Sequence, residues 1–248
     1  MDDSVNVAKV LFQTAVEDEY LFQKADSIQI QHLAEEANPE AIFHIDMGEN
    51  PEENDSSVHI ILFDLETTGL RENPAIIEIA CHDLISGKKF HSYVKPYKDI
   101  EPAASLVNGL FLSDDKIRNA PVIGEVMMLL VNWTDSLKFG GGDLFFFVAH
   151  NCEGFDKRIM LNELNESSMS VSWEFWDSLP MLQAKEPNLP SYSLKNLQLR
   201  YVPEFTTPLH SAQADVECLY LVMQKIYGLE NDEFILEIAK EILDEYDN

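Results

Sequence analysis

The sequence predicts an α/β fold, in which a mixed five-stranded sheet is flanked by helices, with helical appendages at both ends of the chain. The first observation is a segment at residues 58–66, VHIILFDLE, that is apolar on both strand faces, as in a central strand covered from both sides. The second is that two strand-like segments follow it directly, after which helical and strand-like segments alternate. The third is a pair of segments near the C-terminus whose apolar residues recur at helical spacing.

The first 57 residues predict an acidic helical appendage that ends in a linker. Their apolar residues fall loosely at helical spacing between residues 5 and 22, and the polar stretch at 48–57 is typical of an exposed linker. The appendage holds 14 acidic and 2 basic residues, a large part of the chain's formal net charge of −27. Two interpretations stay open, because such an acidic helix can pack one face on the main domain itself or contact a basic partner protein.

The main domain, residues 58–228, begins with a predicted antiparallel meander. Residues 75–84 and 90–97 predict the second and third strands, and Gly87 suits a tight turn between them. Residues 124–137 then predict a helix that leads into a run of glycines.

Beyond the glycines, the chain alternates between strands and helices. Residues 143–149 predict a strand because they are dense in aromatic and branched side chains, and a helix follows at about 156–164. A short strand at 172–177 precedes a further helix, which Asp177 and Ser178 can cap.

Two amphipathic helices complete the predicted fold. Apolar residues at helical spacing predict one helix across the sheet at residues 209–227, and the tail at 229–248 repeats the pattern. The tail holds 8 acidic residues and 1 basic residue, with the acids opposite the apolar positions. We expect a docked C-terminal helix, with a contact to a second copy of the chain as the alternative.

Composition argues against several classes of protein. No apolar run approaches the roughly 18 residues of a membrane span, and the first residues lack the basic start and apolar core of a signal peptide. The three cysteines lie far apart without a CxxC pair, so we expect reduced thiols and neither a zinc knuckle nor a disulfide framework. The cytosol or nucleus is the expected compartment, with no membrane partner.

Four carboxylates and one imidazole lie at the ends of three predicted core elements. Asp64 and Glu66 are two residues apart on a strand and therefore share a face. Asp156 lies in the helix after the fourth strand, and Asp215 lies in the amphipathic helix, with His210 in the loop before it. Burying neighbouring carboxylates without a partner is unfavourable, so the pattern predicts a bound cation.

The order of FDLETTGL, AHNCEGFD, YSLKNL and HSAQAD resembles the DEDDh exonucleases, the DnaQ-like family of proofreading subunits and three-prime repair exonucleases. The resemblance runs from about Val58 to Gly228 and implies a ribonuclease-H-like fold. YSLKNLQLRY is also similar to the degenerate exonuclease-like tail of promyelocytic leukaemia protein.

The resemblance implies a role for each of the five side chains. Asp64, Glu66, Asp156 and Asp215 correspond to the residues that hold two metal ions, and His210 corresponds to the general base. Hard oxygen ligands suit Mg²⁺ or Mn²⁺, and two such ions roughly 3.5 to 4 Å apart clamp the attacking and leaving oxygens of a phosphodiester. The implied function is a 3′–5′ exonuclease that releases nucleoside 5′-monophosphates from DNA or RNA.

The resemblance also implies a substrate pocket for a nucleic-acid 3′ end. We expect that end to be single-stranded, because the chain has no basic tract that would bind a duplex strongly. The backbone at Thr67 would take the terminal hydroxyl, Leu70 would wedge beside the last base, and Asn151 would shape the pocket. A core leucine and a turn asparagine are the alternatives for Leu70 and Asn151. Asn108 stands where the family often has histidine, which we expect to affect substrate handling. A homodimer stays open, since dimers occur in the family.

Two other functions compete with the exonuclease. One is an exonuclease-like protein-interaction module with little or no nuclease activity, whose acidic ends recruit basic proteins; such modules normally lose a metal ligand, and none is missing here. The other is a structural Ca²⁺ site, which the absence of a D-x-D-x-D-G loop disfavours.

Overall fold

Five strands form one mixed sheet in the computed structural model, which describes residues 57–71, 73–138 and 143–246. The appendage predicted for residues 1–57 lies outside these ranges apart from its last residue. The strand order across the sheet is β3-β2-β1-β4-β5. The strands are β1 (Val58–Thr67), β2 (Ile76–Asp83), β3 (Lys89–Tyr93), β4 (Leu144–Ala149) and β5 (Trp173–Asp177).

The pairing of the strands confirms the predicted meander and the mixed sheet. β1 pairs antiparallel with β2, and β2 pairs antiparallel with β3. β4 pairs parallel with β1 on its other side, and β5 continues the sheet in parallel. The β2–β3 turn contains Gly87 at φ +69°, a left-handed conformation that glycine adopts without strain. β1 is therefore the central strand.

Helices cover both faces of the sheet. Alternating side chains of β1 explain its apolar character, because Ile61 and Phe63 belong to one hydrophobic core and Ile60 and Leu62 to the other. α3 and α4 contribute to the first core, and α5 to α8 contribute to the second. The helices are α1 (Pro102–Asn108), α2 (Asp115–Arg118), α3 (Ile123–Asp135), α4 (Asp156–Glu166), α5 (Ser178–Lys185), α6 (Leu194–Tyr201), α7 (Ala212–Tyr227) and α8 (Asn231–Tyr246).

Sequence reasoning predicts α3, α4, α5, α7 and α8 but no element where the structure has α1, α2 and α6. In α1 only Ser105 is buried, so this short helix carries no apolar stripe from which a period could be recognised. The predicted C-terminal helix is present as α8, and Phe234, Ile238 and Ile242 are fully buried against the sheet.

All three cysteines are free and buried. None of the helices within the described ranges has the length and apolar character needed to cross a lipid bilayer.

Candidate metal centre

The C-terminal end of β1 places two carboxylates on one face of the sheet. Asp64 and Glu66 continue the alternation of Ile60 and Leu62, so they lie on the face that α7 covers. Both side chains are partly buried. The strand then ends in a turn in which the Thr67 hydroxyl donates to the carbonyl oxygen of Gly69 at 2.8 Å. The turn holds the end of β1, and with it the two acids, in place.

The loop after β4 places the third carboxylate. Asn151 adopts a left-handed conformation at φ 62°, and its N–H donates to Asp177 Oδ1 at 2.9 Å. A single 3-10 turn at Cys152–Gly154 follows, and α4 then begins at Asp156 itself. Asp156 is buried, and burial raises its pKa to about 7, with a further contribution from Asp177.

The start of α7 supplies the fourth carboxylate and the histidine. Asp215 lies in the first turn of α7, whose N-cap Ser211 accepts from the N–H of Ala214. His210 is exposed, and its N–H donates to Asp215 Oδ1 at 3.1 Å. Its φ of 75° is uncommon for a residue other than glycine, and such conformations concentrate at functional sites.

The structure brings three of these five side chains within ligand distance of one another, and Asp64 and Asp156 lie close enough to the group to interact with it by charge repulsion. One ligand atom each of Glu66, His210 and Asp215 lie within 4.8 Å of one another. Burial raises the pKa of Asp64 well above its ordinary value, and repulsion from Asp215, Asp156 and Glu66 raises it further. The pKa of Glu66 is raised to about 8, mainly by burial and next by repulsion from Asp215. The roles of the five residues remain predictions.

The donor set fits a hard divalent cation. Among the described residues, no lysine or arginine forms an ion pair with any of the four carboxylates, so pairing with lysine does not explain the cluster. Carboxylate oxygens are the ligands that Mg²⁺ and Mn²⁺ prefer, and clustered anions of this kind favour a bound positive charge. We therefore regard Asp64, Glu66, Asp156 and Asp215 as a site able to hold divalent ions.

The structure adds a carboxylate that sequence reasoning missed. Glu78 on β2 lies opposite Glu66, is almost fully buried and approaches the Nε2 atom of His91 at 2.9 Å. Its signal in the sequence was an acidic residue in the middle of the apolar strand IIEIAC. A buried carboxylate of this kind is rare without a partner.

His150 was also missed, although it lies in the AHNCEGFD motif. Its Nδ1 atom lies 3.0 Å from Ser178 Oγ, and its Nε2 atom lies 2.6 Å from the carbonyl oxygen of Tyr192. Burial lowers the pKa of His150, which favours a neutral ring. His150 therefore joins the loop before α4 to the start of α5 and to the segment before α6.

The predicted substrate residues have different surroundings. Leu70 is 83% exposed, so the core-leucine alternative is wrong. Thr67 is buried, with its hydroxyl engaged in the turn. Asn151 is exposed and occupies a turn position. Asn108 hydrogen-bonds to Glu66, and this bond offsets part of the increase in the pKa of that carboxyl. Asn108 therefore lies beside the carboxylate cluster.

The raised pKa values predict how the stability of the metal-free protein depends on pH. Glu66 and Asp215 have pKa values of about 8 and about 6 in the folded protein, whereas unfolded carboxyls titrate near 4. The folded protein therefore binds more protons between about pH 4 and about pH 8, and its free energy of unfolding falls as the pH rises through that range.

Thermal unfolding in chelator should accordingly give a melting temperature that decreases from about pH 5 to about pH 8. Added Mg²⁺ should reduce this decrease, because a bound cation favours the ionised carboxylates. A melting temperature in chelator that rises over the same range would contradict the assigned cluster.

Comparison with known proteins gives consistent matches. Residues 61–223 match the RNase_T family model, whose description is exonuclease. Exonuclease DPD1, chloroplastic/mitochondrial, of Arabidopsis thaliana is 33% identical over 179 residues, which cover 67% of this chain and 55% of that protein. DNA polymerase III subunit epsilon of Pasteurella multocida (strain Pm70) is 28% identical over 181 residues, covering 66% of this chain and 67% of that protein. The chain thus spans about half the length of the Arabidopsis relative.

Two solved structures share the fold. Exonuclease X in complex with 5′ overhanging duplex DNA superposes with a TM-score of 0.50 and 22% identity, covering 71% of this chain and 96% of the other. E. coli exonuclease I in complex with a dA16 oligonucleotide gives a TM-score of 0.54 and 19% identity, covering 68% of this chain and 41% of the other. Both confirm the α/β fold with its mixed sheet flanked by helices.

Proposed function

The chain belongs to the RNase_T exonuclease family, and from that premise we propose that it is a metal-dependent 3′–5′ exonuclease releasing nucleoside 5′-monophosphates. The observation that carries the proposal is the convergence of Glu66, His210 and Asp215, with ligand atoms within 4.8 Å of one another. Asp156 lies close enough to Asp64 to raise the pKa of Asp64 by repulsion. The complete set of five side chains disfavours an interaction module that has lost catalysis.

The residues of the site have two roles, binding ions and transferring a proton. Asp64, Glu66, Asp156 and Asp215 would hold two Mg²⁺ or Mn²⁺ ions. When bound, such ions supply activation of the attacking water and stabilisation of the departing 3′-oxygen. His210 accepts the proton of the attacking water at a ring nitrogen, since its imidazole is exposed to solvent. The hydrogen bond from its backbone to Asp215 keeps that imidazole beside the carboxylates.

The proposed substrate is a single-stranded 3′ end of DNA or RNA. The net negative charge of the chain weakens binding to the phosphates of a long duplex, so we expect binding to depend on the ions and on a small pocket at the strand end. The exposed Leu70 beside the turn after β1 offers an apolar surface for the last base. The solved structures of exonucleases X and I contain DNA or an oligonucleotide, which agrees with a nucleic-acid substrate.

Replacing Leu70 by alanine should raise KM for a single-stranded oligonucleotide severalfold and leave the melting temperature unchanged. The side chain is 83% exposed, so its loss removes contact with substrate and no core packing. Leu199→Ala is the matched control, because Leu199 is 57% exposed on α6, in a helix that contributes no residue to the site. Equal KM values in the wild type and in Leu70→Ala would argue against a wedge at this position.

The direct test is degradation of single-stranded DNA and RNA that are labelled at either end, with Mg²⁺, Mn²⁺ or chelator. Stepwise loss from the 3′ end that requires the ion supports the proposal, and the two substrates report the sugar preference. Release from the 5′ end, or no release by a folded protein that binds Mn²⁺, contradicts it. The latter result would favour the interaction module.

The proposed compartment is the cytosol or nucleus. Three free buried cysteines agree with a reducing environment. The name of the Arabidopsis relative places that protein in chloroplasts and mitochondria, so an organelle is the competing location. Imaging of the tagged chain beside organelle markers decides between them.

A further inference from the structure

We infer that Glu78 is a fifth carboxylate of the cation site and that His91 orients it. The inference rests on the proposed function, because it concerns how tightly the same site holds its ions. Glu78 lies outside the three motifs that identify the four acidic ligands and the histidine.

The register of the sheet places Glu78 beside the site. Glu66 of β1 and Glu78 of β2 are directly opposed in the antiparallel ladder. Opposed residues project to the same face, with Cβ atoms about 4.5 to 5.5 Å apart. Glu78 therefore presents its carboxylate on the face that holds Asp64 and Glu66.

One oxygen of Glu78 has a partner and the other does not. Oε1 lies 2.9 Å from the His91 Nε2 atom, whereas Oε2 is buried and has no hydrogen-bond partner among the described residues. The whole residue is 1% exposed, so water cannot readily satisfy Oε2. A buried acceptor without a partner is unfavourable, and so is a like charge directly across the ladder.

Both unfavourable features are relieved if a cation occupies the adjacent cluster. The charge of Glu78 reaches that cluster, because it contributes to the raised pKa values of Asp64, Glu66 and Asp215. His91 holds the carboxylate from the side of the edge strand β3, diagonally across from Glu78. This is the arrangement of an outer carboxylate that tunes a metal site, since such groups raise metal affinity without being among its main ligands.

The alternative is that Glu78 serves only as the buried partner of His91. Both roles include the hydrogen bond to His91, so the affinity for the ion is what separates them. A member of the cation site loses Mn²⁺ affinity when it is neutralised. A purely structural partner loses only a charge-assisted hydrogen bond, so the melting temperature in chelator falls while the Mn²⁺ affinity of the folded protein stays the same.

The experiment is calorimetric titration of Mn²⁺ into the wild type, Glu78→Gln and Glu163→Gln, with melting temperatures measured in chelator. Glu163 is a matched control, because it is 6% exposed with a pKa raised by burial. It lies seven residues after Asp156 in α4, roughly 10 Å along the helix axis. We expect Glu78→Gln to bind Mn²⁺ about 10- to 100-fold more weakly and Glu163→Gln to bind like the wild type.

A second variant covers the case in which Glu78→Gln does not fold. Glu78→Asp keeps the charge but withdraws the carboxylate by one methylene, so we expect an intermediate loss of affinity. Wild-type affinity in whichever of the two variants folds overturns the role of Glu78 and leaves the proposed function intact. A wild type that does not bind Mn²⁺ overturns both.

Discussion

Neutralising Asp64 or Glu66 should abolish turnover while preserving the fold. Asp64→Asn and Glu66→Gln each remove a carboxylate from the cluster at the end of the central strand, and we expect kcat to fall on the order of 10³-fold, as for the loss of one strong electrostatic stabiliser. In chelator at about pH 8 both variants should melt at or above the wild-type temperature. The reason is that burial and neighbouring acids raise the pKa of both carboxyls, so each charge opposes folding.

Glu163→Gln is again the control, since the same chemical change at a buried carboxyl outside the cluster should leave kcat unchanged. The measurements are initial rates on a 3′-labelled oligonucleotide and thermal unfolding with and without Mg²⁺. Unfolding of Asp64→Asn under conditions in which the wild type is folded would instead indicate a structural ion, such as Ca²⁺. Full activity in both variants would exclude the two-ion mechanism at this site.

Replacing His210 should lower kcat by about 10²- to 10⁴-fold, the usual contribution of a general base. Asparagine is the suitable substitute, because it tolerates the left-handed backbone that His210 adopts at φ 75°. The side chain is exposed, so we expect no change in melting temperature.

The same variant separates two roles that the geometry allows for His210. Its ring lies within 4.8 Å of the ligand atoms of Glu66 and Asp215, a position suited either to moving a proton or to binding an ion. Mn²⁺ titration distinguishes them: unchanged affinity with lost turnover identifies the base, and parallel loss of both identifies a ligand. His82→Asn is the control, because His82 is partly buried against Tyr220 and should keep both properties.

Local patterns explain why most of the site was visible in the sequence. Asp64 and Glu66 interrupt an apolar strand at its end, and the two-residue period of a strand puts them on one face whatever surrounds them. Asp215 and His210 are five residues apart at a helix start, so their proximity is also local.

Sequence patterns did not reveal the acid Glu78 or the histidine His150, because contacts between distant segments decide the role of each. Glu78 was part of a correctly predicted strand, yet its importance depends on the register that sets it opposite Glu66. His150 was inside a quoted motif, but its partners at Ser178 and Tyr192 follow it by 28 and 42 residues. Neither position carries a period or a spacing that reveals such contacts.

The sequence by itself determined the order of the five strands and of five helices and the central strand, and it predicted the four acids and the histidine as the site. These depend on apolar periodicity and on motifs a few residues long, which the backbone geometry of a strand or helix converts directly into position. Only the tertiary structure decided that Glu78 faces the carboxylate cluster, that Leu70 is exposed and that Asn108 reaches Glu66. Strand register and side-chain burial are set by packing between segments far apart in the chain, and no local pattern specifies them.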